Sequence, residues 1–170
     1  MLIAIIIGFI FWSPLEYFIH RYLGHEWTFQ NKFRKEHQKH HFLKDYFASD
    51  FDKLLAALPF MAIIFSIGII FTGWNISLMF SFGFLISYLF YEKVHKDLHV
   101  KEPKTRMGKA LRKHHFHHHF ENPKMNHGVT TRLWDRVFGT FEKPTVVHVP
   151  EKHKMVWLEE DNSDYLVTSN

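Results

Sequence analysis

Apolar and polar positions along this chain are separated into long blocks. Met1 to Ile19 is almost wholly apolar, and Leu54 to Phe71 and Ile76 to Phe90 are apolar runs of 18 and 15 residues joined by Thr72-Gly73-Trp74-Asn75. At about 1.5 Å per residue the first run is long enough for a hydrocarbon core of roughly 30 Å. The other two are short for that task, and a soluble core hairpin is the alternative. Charge decides between them. Leu54 to Tyr91 holds no Lys, Arg, Asp or Glu, and the 21 Lys and Arg fall as seven in Arg21–Lys53 and fourteen after Tyr91. Three spans put both basic regions on one face of the membrane, the cytoplasmic one by the positive-inside rule. Met1 and the Thr72–Asn75 turn then lie on the opposite face. The expected fold is all-α: an integral membrane helical protein with a cytoplasmic helical cap. It forms one domain over 1–170, with spans near 1–19, 54–71 and 76–91 and cytoplasmic regions at 20–53 and 92–141.

Shorter signals subdivide the polar regions. Pro14 predicts a kink in the first span. Tyr91 to Val100 continues the third span, and Lys101 to Arg106, with Pro103, forms a loop. Gly108 to Phe120 reads as a helix, Asn122-Pro123 as its breaker, and Asn126 to Thr131 as a loop. Arg132 to Phe141 is amphipathic, Lys143 to Pro150 extended, and Ser163 to Asn170 a frayed end.

Histidine placement supplies the chemistry. Ten of the 15 histidines fall in four spaced groups: His20 and His25; His37, His40 and His41; His95 and His99; and His115, His118 and His119. Residues i, i+3 and i+4 share one face of a helix, so each H-x-x-H-H unit gathers imidazoles. His20 and His25 are five apart, about 140° round a regular helix. Either Gly24 distorts the helix there or the two rings serve different metals. A mononuclear zinc site uses three or four ligands, so ten histidines point to two ions with about five ligands each. Adjacent histidines diverge by about 100° on a helix, so His40 and His41 are expected on different ions, as are His118 and His119. Neutral imidazole suits iron, zinc, copper and nickel. His114 and His117 leave the choice within 114–119 open on spacing alone. His148 and His153 stand alone and are expected at the surface. Three candidates for the layer behind the ligands are Glu16, four residues before His20; Glu92, three before His95; and His127. A carboxylate in a membrane helix is costly and usually functional, and Glu16 is placed to accept the second N–H of the His20 ring.

Composition closes off other classes. With no cysteine, disulfides, chain-ligated iron–sulfur clusters and cysteine zinc sites are excluded. Met1 to Phe18 has no basic start and no small-residue cleavage site, which argues against a cleaved signal peptide. A metal transporter would place ionisable ligands near mid-bilayer; here they gather at one face. A non-enzymatic metal-binding membrane protein is the remaining reading outside enzymology.

Five blocks carry a resemblance: Trp12–His25 (W-S-P-L-E-Y-F-I-H-R-Y-L-G-H), His37–His41 (H-Q-K-H-H), Tyr88–His99 (Y-L-F-Y-E-K-V-H-K-D-L-H), His115–Asn122 (H-F-H-H-H-F-E-N) and Gly128–Thr140 (G-V-T-T-R-L-W-D-R-V-F-G-T). Together they resemble the fatty acid hydroxylase and sterol desaturase superfamily of membrane di-iron enzymes over Trp12 to Thr140, most of all the fatty acid 2-hydroxylases. The resemblance registers His115, His118 and His119 as the ligands of the last cluster. It implies two iron ions, replaceable by zinc on purification, with O2 as co-substrate and insertion of one oxygen into a lipid acyl C–H bond. Sterol or carotenoid oxygenation and desaturation are the alternatives within the superfamily. Many members of that branch carry a fused cytochrome-like domain before this region. Its absence here implies a separate donor, cytochrome b-type or ferredoxin-type with its reductase. No nucleic-acid partner is expected.

Overall fold

Ser49 starts the longest uninterrupted apolar element. Its side chain accepts from the Asp52 N–H, and Asp50 and Asp52 occupy the first turn of α3, Asp50–Thr72, where carboxylates suit the helix N-terminus. This polar first turn begins the helix four residues before Leu54. Gly73, at φ +78°, closes α3, a left-handed conformation that glycine adopts without strain. The other helices are α1 (Leu2–Phe18), α2 (Lys32–Phe42), α4 (Trp74–Val100), α5 (Arg106–Phe120) and the short α6 (Leu133–Val137). A π-helix, Ile19–Glu26, follows α1, and a short 3-10 turn occupies Glu151–His153. The structure, a computed structural model, describes residues 1–158 and 163–169. Three helical stretches, Leu2–Glu26, Asp50–Thr72 and Trp74–Val100, are long and apolar enough to cross a membrane.

The chain forms two compact units. The first comprises Met1–Leu15 and Ala48–Lys93. Here α1 and α4 cross with their backbones in contact: a Cβ on Gly8 would stand 2.0 Å from the Phe80 carbonyl oxygen, and one on Gly83 2.0 Å from that of Ile5. Small residues permit this approach where lipid leaves little hydrophobic drive between helices. Trp12 packs edge-on against Phe84 and Tyr88, with ring centroids 5.3 and 5.1 Å away. Ser77 Oγ donates to the Phe65 carbonyl at 2.7 Å, tying α4 to α3. No residue of α3 is buried. Most of its apolar side chains are exposed, and an apolar helix exposed over most of its surface suits an apolar solvent.

The second unit comprises Glu16–Phe47 and Val94–Asn170. Asn31 caps α2 through Arg34 N–H, and Thr105 caps α5 through Gly108 N–H. Its apolar core is Phe116, Val147, Val149, Met155, Leu158 and Tyr165. Two short strands, β1 (Val147–Pro150) and β2 (Tyr165–Thr168), pair in parallel, with Val147 opposite Tyr165. This corrects two expectations: the fold is mostly helical rather than all-α, and 165–168 is a strand rather than a frayed end. The cause is period-two alternation. Val147 and Val149 turn inward onto Phe116 while His148 faces out.

Candidate metal centre

The π-helix resolves the spacing of the first histidine pair. Its hydrogen bonds run from residue i to i+5, as Trp27 N–H does to the Tyr22 carbonyl, so residues five apart come onto one face. His20 and His25 thereby join His37 and His41 of α2 and His118 of α5, with all five candidate ligand nitrogens within 4.8 Å of one another. Gly24 makes room: a Cβ there would stand 3.1 Å from His37 Cδ2. A second group gathers His40, His95, His99, His115 and His119 within the same limit. His40 and His41 fall in different groups, and so do His118 and His119. The groups are neighbours, since His41 and His119 stack with centroids 4.0 Å apart.

The donor set fits metal ions. His37 Nε2 faces the Nε2 atoms of His20, His25 and His41 at 3.0, 2.8 and 3.0 Å. One imidazole nitrogen offers either one N–H or one lone pair, so no protonation pattern satisfies three such approaches, whereas a cation among the lone pairs does. A metal about 2.0–2.1 Å from each nitrogen sets opposed donors at most about 4.2 Å apart. In the second group His99 and His115 meet through their Nε2 atoms at 2.8 Å, and His119 Nε2 is buried without a hydrogen-bond partner. The imidazoles are also held neutral. Burial, reinforced by neighbouring histidines, keeps His37, His115, His118 and His119 well below the ordinary imidazole range, and burial brings His41 down to about 2.

Backbone carbonyls fix the tautomers. Nδ1–H of His20 donates to the His127 carbonyl (2.5 Å), that of His40 to Tyr46 (2.8 Å) and that of His118 to Met125 (2.7 Å). Each leaves Nε2 as the unprotonated nitrogen of its ring. Two of these carbonyls belong to the loop over 122–131, which hangs on buried carboxylates. Asp135, fully buried, accepts from the N–H groups of His127 and Gly128 (2.8 and 2.9 Å), from Thr140 Oγ1 (2.8 Å) and from His114 Nε2 (2.9 Å). Burial alone would raise the Asp135 pKa, but the His114 bond and these donors hold it below the usual carboxylate value. Burial lowers His114 in turn, so it donates as a neutral ring.

The Glu16 expectation is corrected on the same loop. One Glu16 oxygen accepts from Val129 and Thr130 N–H (2.7 and 2.8 Å), and the other from Thr130 Oγ1 (2.5 Å). Both His20 nitrogens are engaged elsewhere, so Glu16 reaches His20 only through the loop. The carboxylate of Glu92, expected beside His95, instead pairs with Lys53 Nζ at 2.6 Å. His127 meets His20 through its carbonyl oxygen; its ring donates to the Lys124 carbonyl at 3.1 Å, and burial lowers its pKa to about 4. His117 turns to Asn126 and Glu142. His148 is exposed on Glu121. His153, expected at the surface, is buried at 8% exposure and lines a small cavity with His40, His99 and His119. Asp135 is the residue that sequence reasoning missed. A lone aspartate in an amphipathic segment gives no spacing signal.

Comparison with known proteins agrees with this geometry. The sequence model described as fatty acid hydroxylase matches residues 5–140. A dihydroceramide fatty acyl 2-hydroxylase of Arabidopsis thaliana is 29% identical over 145 residues, covering 80% of this chain and 59% of its own. The ceramide very long chain fatty acid hydroxylase of Saccharomyces cerevisiae is 31% identical over 81% of this chain and 38% of its own, and the human fatty acid 2-hydroxylase 30% identical over 81% and 40%. The chain therefore spans about half or less of the curated relatives it matches. A solved structure described as full-length scs7p, with only its hydroxylase domain visible, superposes with a TM-score of 0.66 at 25% identity, covering 86% of this chain and 59% of that one. With a family match over four-fifths of its length and both histidine groups inside the matched stretch, the chain belongs to the fatty acid hydroxylase family.

Proposed function

We propose that this chain hydroxylates the acyl chain of a membrane lipid at carbon 2, with O2 as oxidant. The observation that carries the reading is the pair of largely buried five-imidazole groups within a fatty acid hydroxylase sequence, together with relatives named as a dihydroceramide fatty acyl 2-hydroxylase, a ceramide very long chain fatty acid hydroxylase and a fatty acid 2-hydroxylase. The ten histidines are assigned as ligands of two iron ions, His20, His25, His37, His41 and His118 on one and His40, His95, His99, His115 and His119 on the other. When bound, the iron pair would activate dioxygen for insertion of one atom into a C–H bond. The other atom leaves as water, which takes two electrons and two protons per turnover. Zinc, which generally binds nitrogen donors more tightly than ferrous iron, would replace iron on purification.

The chain's own residues do the holding. Carbonyl-bound Nδ1–H groups set the tautomers, and burial excludes water and keeps the rings neutral. Charge-neutral ligands leave the metal pair strongly electrophilic. The three apolar helices would anchor the enzyme as spans of one membrane domain, with both basic regions on the cytoplasmic side. Exposed Trp27, Phe29, Leu133 and Phe138 suit the membrane interface beside them. The electrons would come from a small carrier, cytochrome b-type or ferredoxin-type with its reductase, and an acidic one would suit a basic face.

The test is lipid analysis of cells with and without the protein under isotopically labelled dioxygen. A 2-hydroxy acyl chain carrying one labelled oxygen supports the proposal. A new double bond, a hydroxylated sterol, or no new lipid overturns it.

A further inference from the structure

Arg112 is 1% exposed, in the middle of α5, three residues before His115. A buried guanidinium is costly unless its donors and faces are used. Here Nε donates to the Leu98 carbonyl at 2.6 Å and Nη2 to the Asp97 carbonyl at 3.1 Å, while Nη1 is buried with no hydrogen-bond partner among the described residues. Those carbonyls belong to the last turn of α4, where the helix dipole favours a cation; the Asp97 carbonyl also accepts from the Lys101 N–H at 3.1 Å. They alternate with two histidines of the second group: Asp97 lies between His95 and His99, and Leu98 directly precedes His99. One edge of the guanidinium therefore grips the end of the helix that carries His95 and His99. Arg112 itself stands on the helix that carries His115 and His119.

The flat face of the same group meets the C-terminal segment. Arg112 Cζ lies 4.0 Å from the centroid of the Trp157 ring, and Trp157 packs against the core of Phe116, Val147, Val149, Met155, Leu158 and Tyr165. The same segment sets His153 and Met155 around the small cavity that His40, His99 and His119 also line. Trp157, His153, Met155 and the two strands lie beyond the stretch 5–140 that matches the family. In the first group, by contrast, the carbonyls that hold His20 and His118 come from the 122–131 loop.

We propose that Arg112, clamped between the α4 carbonyls and the Trp157 ring, is a positioning residue for the second histidine group alone, and that through it the C-terminal segment sets how tightly that group holds its metal. A planar fork is needed because one edge must meet two carbonyls while one face takes the indole. Lysine can supply the charge but cannot make both contacts. The inference rests on the assignment of one ion to each group.

The test titrates the full-length protein, freed of metal in a lipid nanodisc, with Co²⁺ alone, following the ligand-field absorption of each bound ion; unfolding of the metal-free protein is recorded in parallel. Wild type should take up two Co²⁺. Trp157→Ala and Arg112→Met should each weaken one site by about 10–100-fold, the usual effect of losing a residue that supports a ligand, and leave the other unchanged. Trp157→Phe should restore most of the loss and Arg112→Lys little. Adding Arg112→Met to His40→Ala should change the surviving site little, whereas adding it to His41→Ala should weaken the surviving site. Equal weakening of both sites, or none, overturns the proposal, and Trp157→Ala serves should Arg112→Met fail to fold. Uptake of a single Co²⁺ by wild type would instead overturn the two-ion assignment beneath it.

Discussion

The histidines around His37 and those around His99 are equal in number and differ in what holds them. The first group draws part of its frame from irregular backbone: a π-helix presents His20 and His25, and the 122–131 loop supplies carbonyls to His20 and His118. That loop hangs on the buried carboxylates of Asp135 and Glu16. The second group stands on regular helices, with His95 and His99 four apart on α4 and His115 and His119 four apart on α5. A cation, Arg112, ties those helices together. The same donor set is thus reached by anion-held loop and by cation-held helix. In neither group does the residue that holds the frame need to touch a ligand ring.

The largest expected effect comes from removing the anchor of the loop. Asp135→Ala leaves two buried N–H groups and the His114 ring without their acceptor. Losing one partner of such a buried network costs about 3–5 kcal/mol. The thermal midpoint should fall sharply, and the folded fraction should retain metal only in the His40 group. Two tightly held ions in this variant would break the distinction between the groups.

Acid tests what the groups share. His37, His41, His115, His118 and His119 are lowered in the folded protein, so below about pH 6.5 the unfolded chain binds protons that the folded one does not. Stability of the metal-free protein is therefore full above that pH and lost as pH falls. Each imidazole contributes at most about 1.4 kcal/mol per pH unit. Denaturant midpoints of the metal-free protein measured from pH 8 to 5 should decline below 6.5; a flat profile would show that these rings are not held neutral.

Gly24→Ala sharpens the contrast with a smaller effect. Its Cβ would press on His37 Cδ2 from 3.1 Å, and overpacking of this kind costs about 1–3 kcal/mol. Metal titration should show the first site about tenfold weaker and the second unchanged. His153→Ala is the mildest. It removes a wall of the cavity beside His40, His99 and His119 without removing a ligand, so it should weaken the second site by less than tenfold and spare the first. An equal effect on both sites would contradict that placement.

How far the sequence was legible follows the same division. Long apolar runs mark the three long helices, and i, i+4 spacing brings His95 with His99 and His115 with His119, because these stretches obey regular helical periodicity. The sequence leaves the pairing of His20 with His25 as one of two alternatives, since the π-helix that brings them together changes the angle per residue and the 140° offset no longer applies. Glu16 stands out in the sequence as a carboxylate in an apolar helix, but its partners are Val129 and Thr130, 113 and 114 residues away, beyond any local pattern. Local spacing likewise pointed Glu92 at His95, where the reach of Lys53 from α3 decides otherwise. His153 was read as a surface residue because its burial depends on the strand pair, which folds the C-terminal segment onto Phe116.

Anomalous diffraction from the full-length protein loaded with iron or zinc tests the central claim most directly. Two metal peaks are predicted, one within about 2.0–2.2 Å of the His41 nitrogen and the other at the same distance from His40. A single peak, or one ion bound by both His40 and His41, would contradict the account.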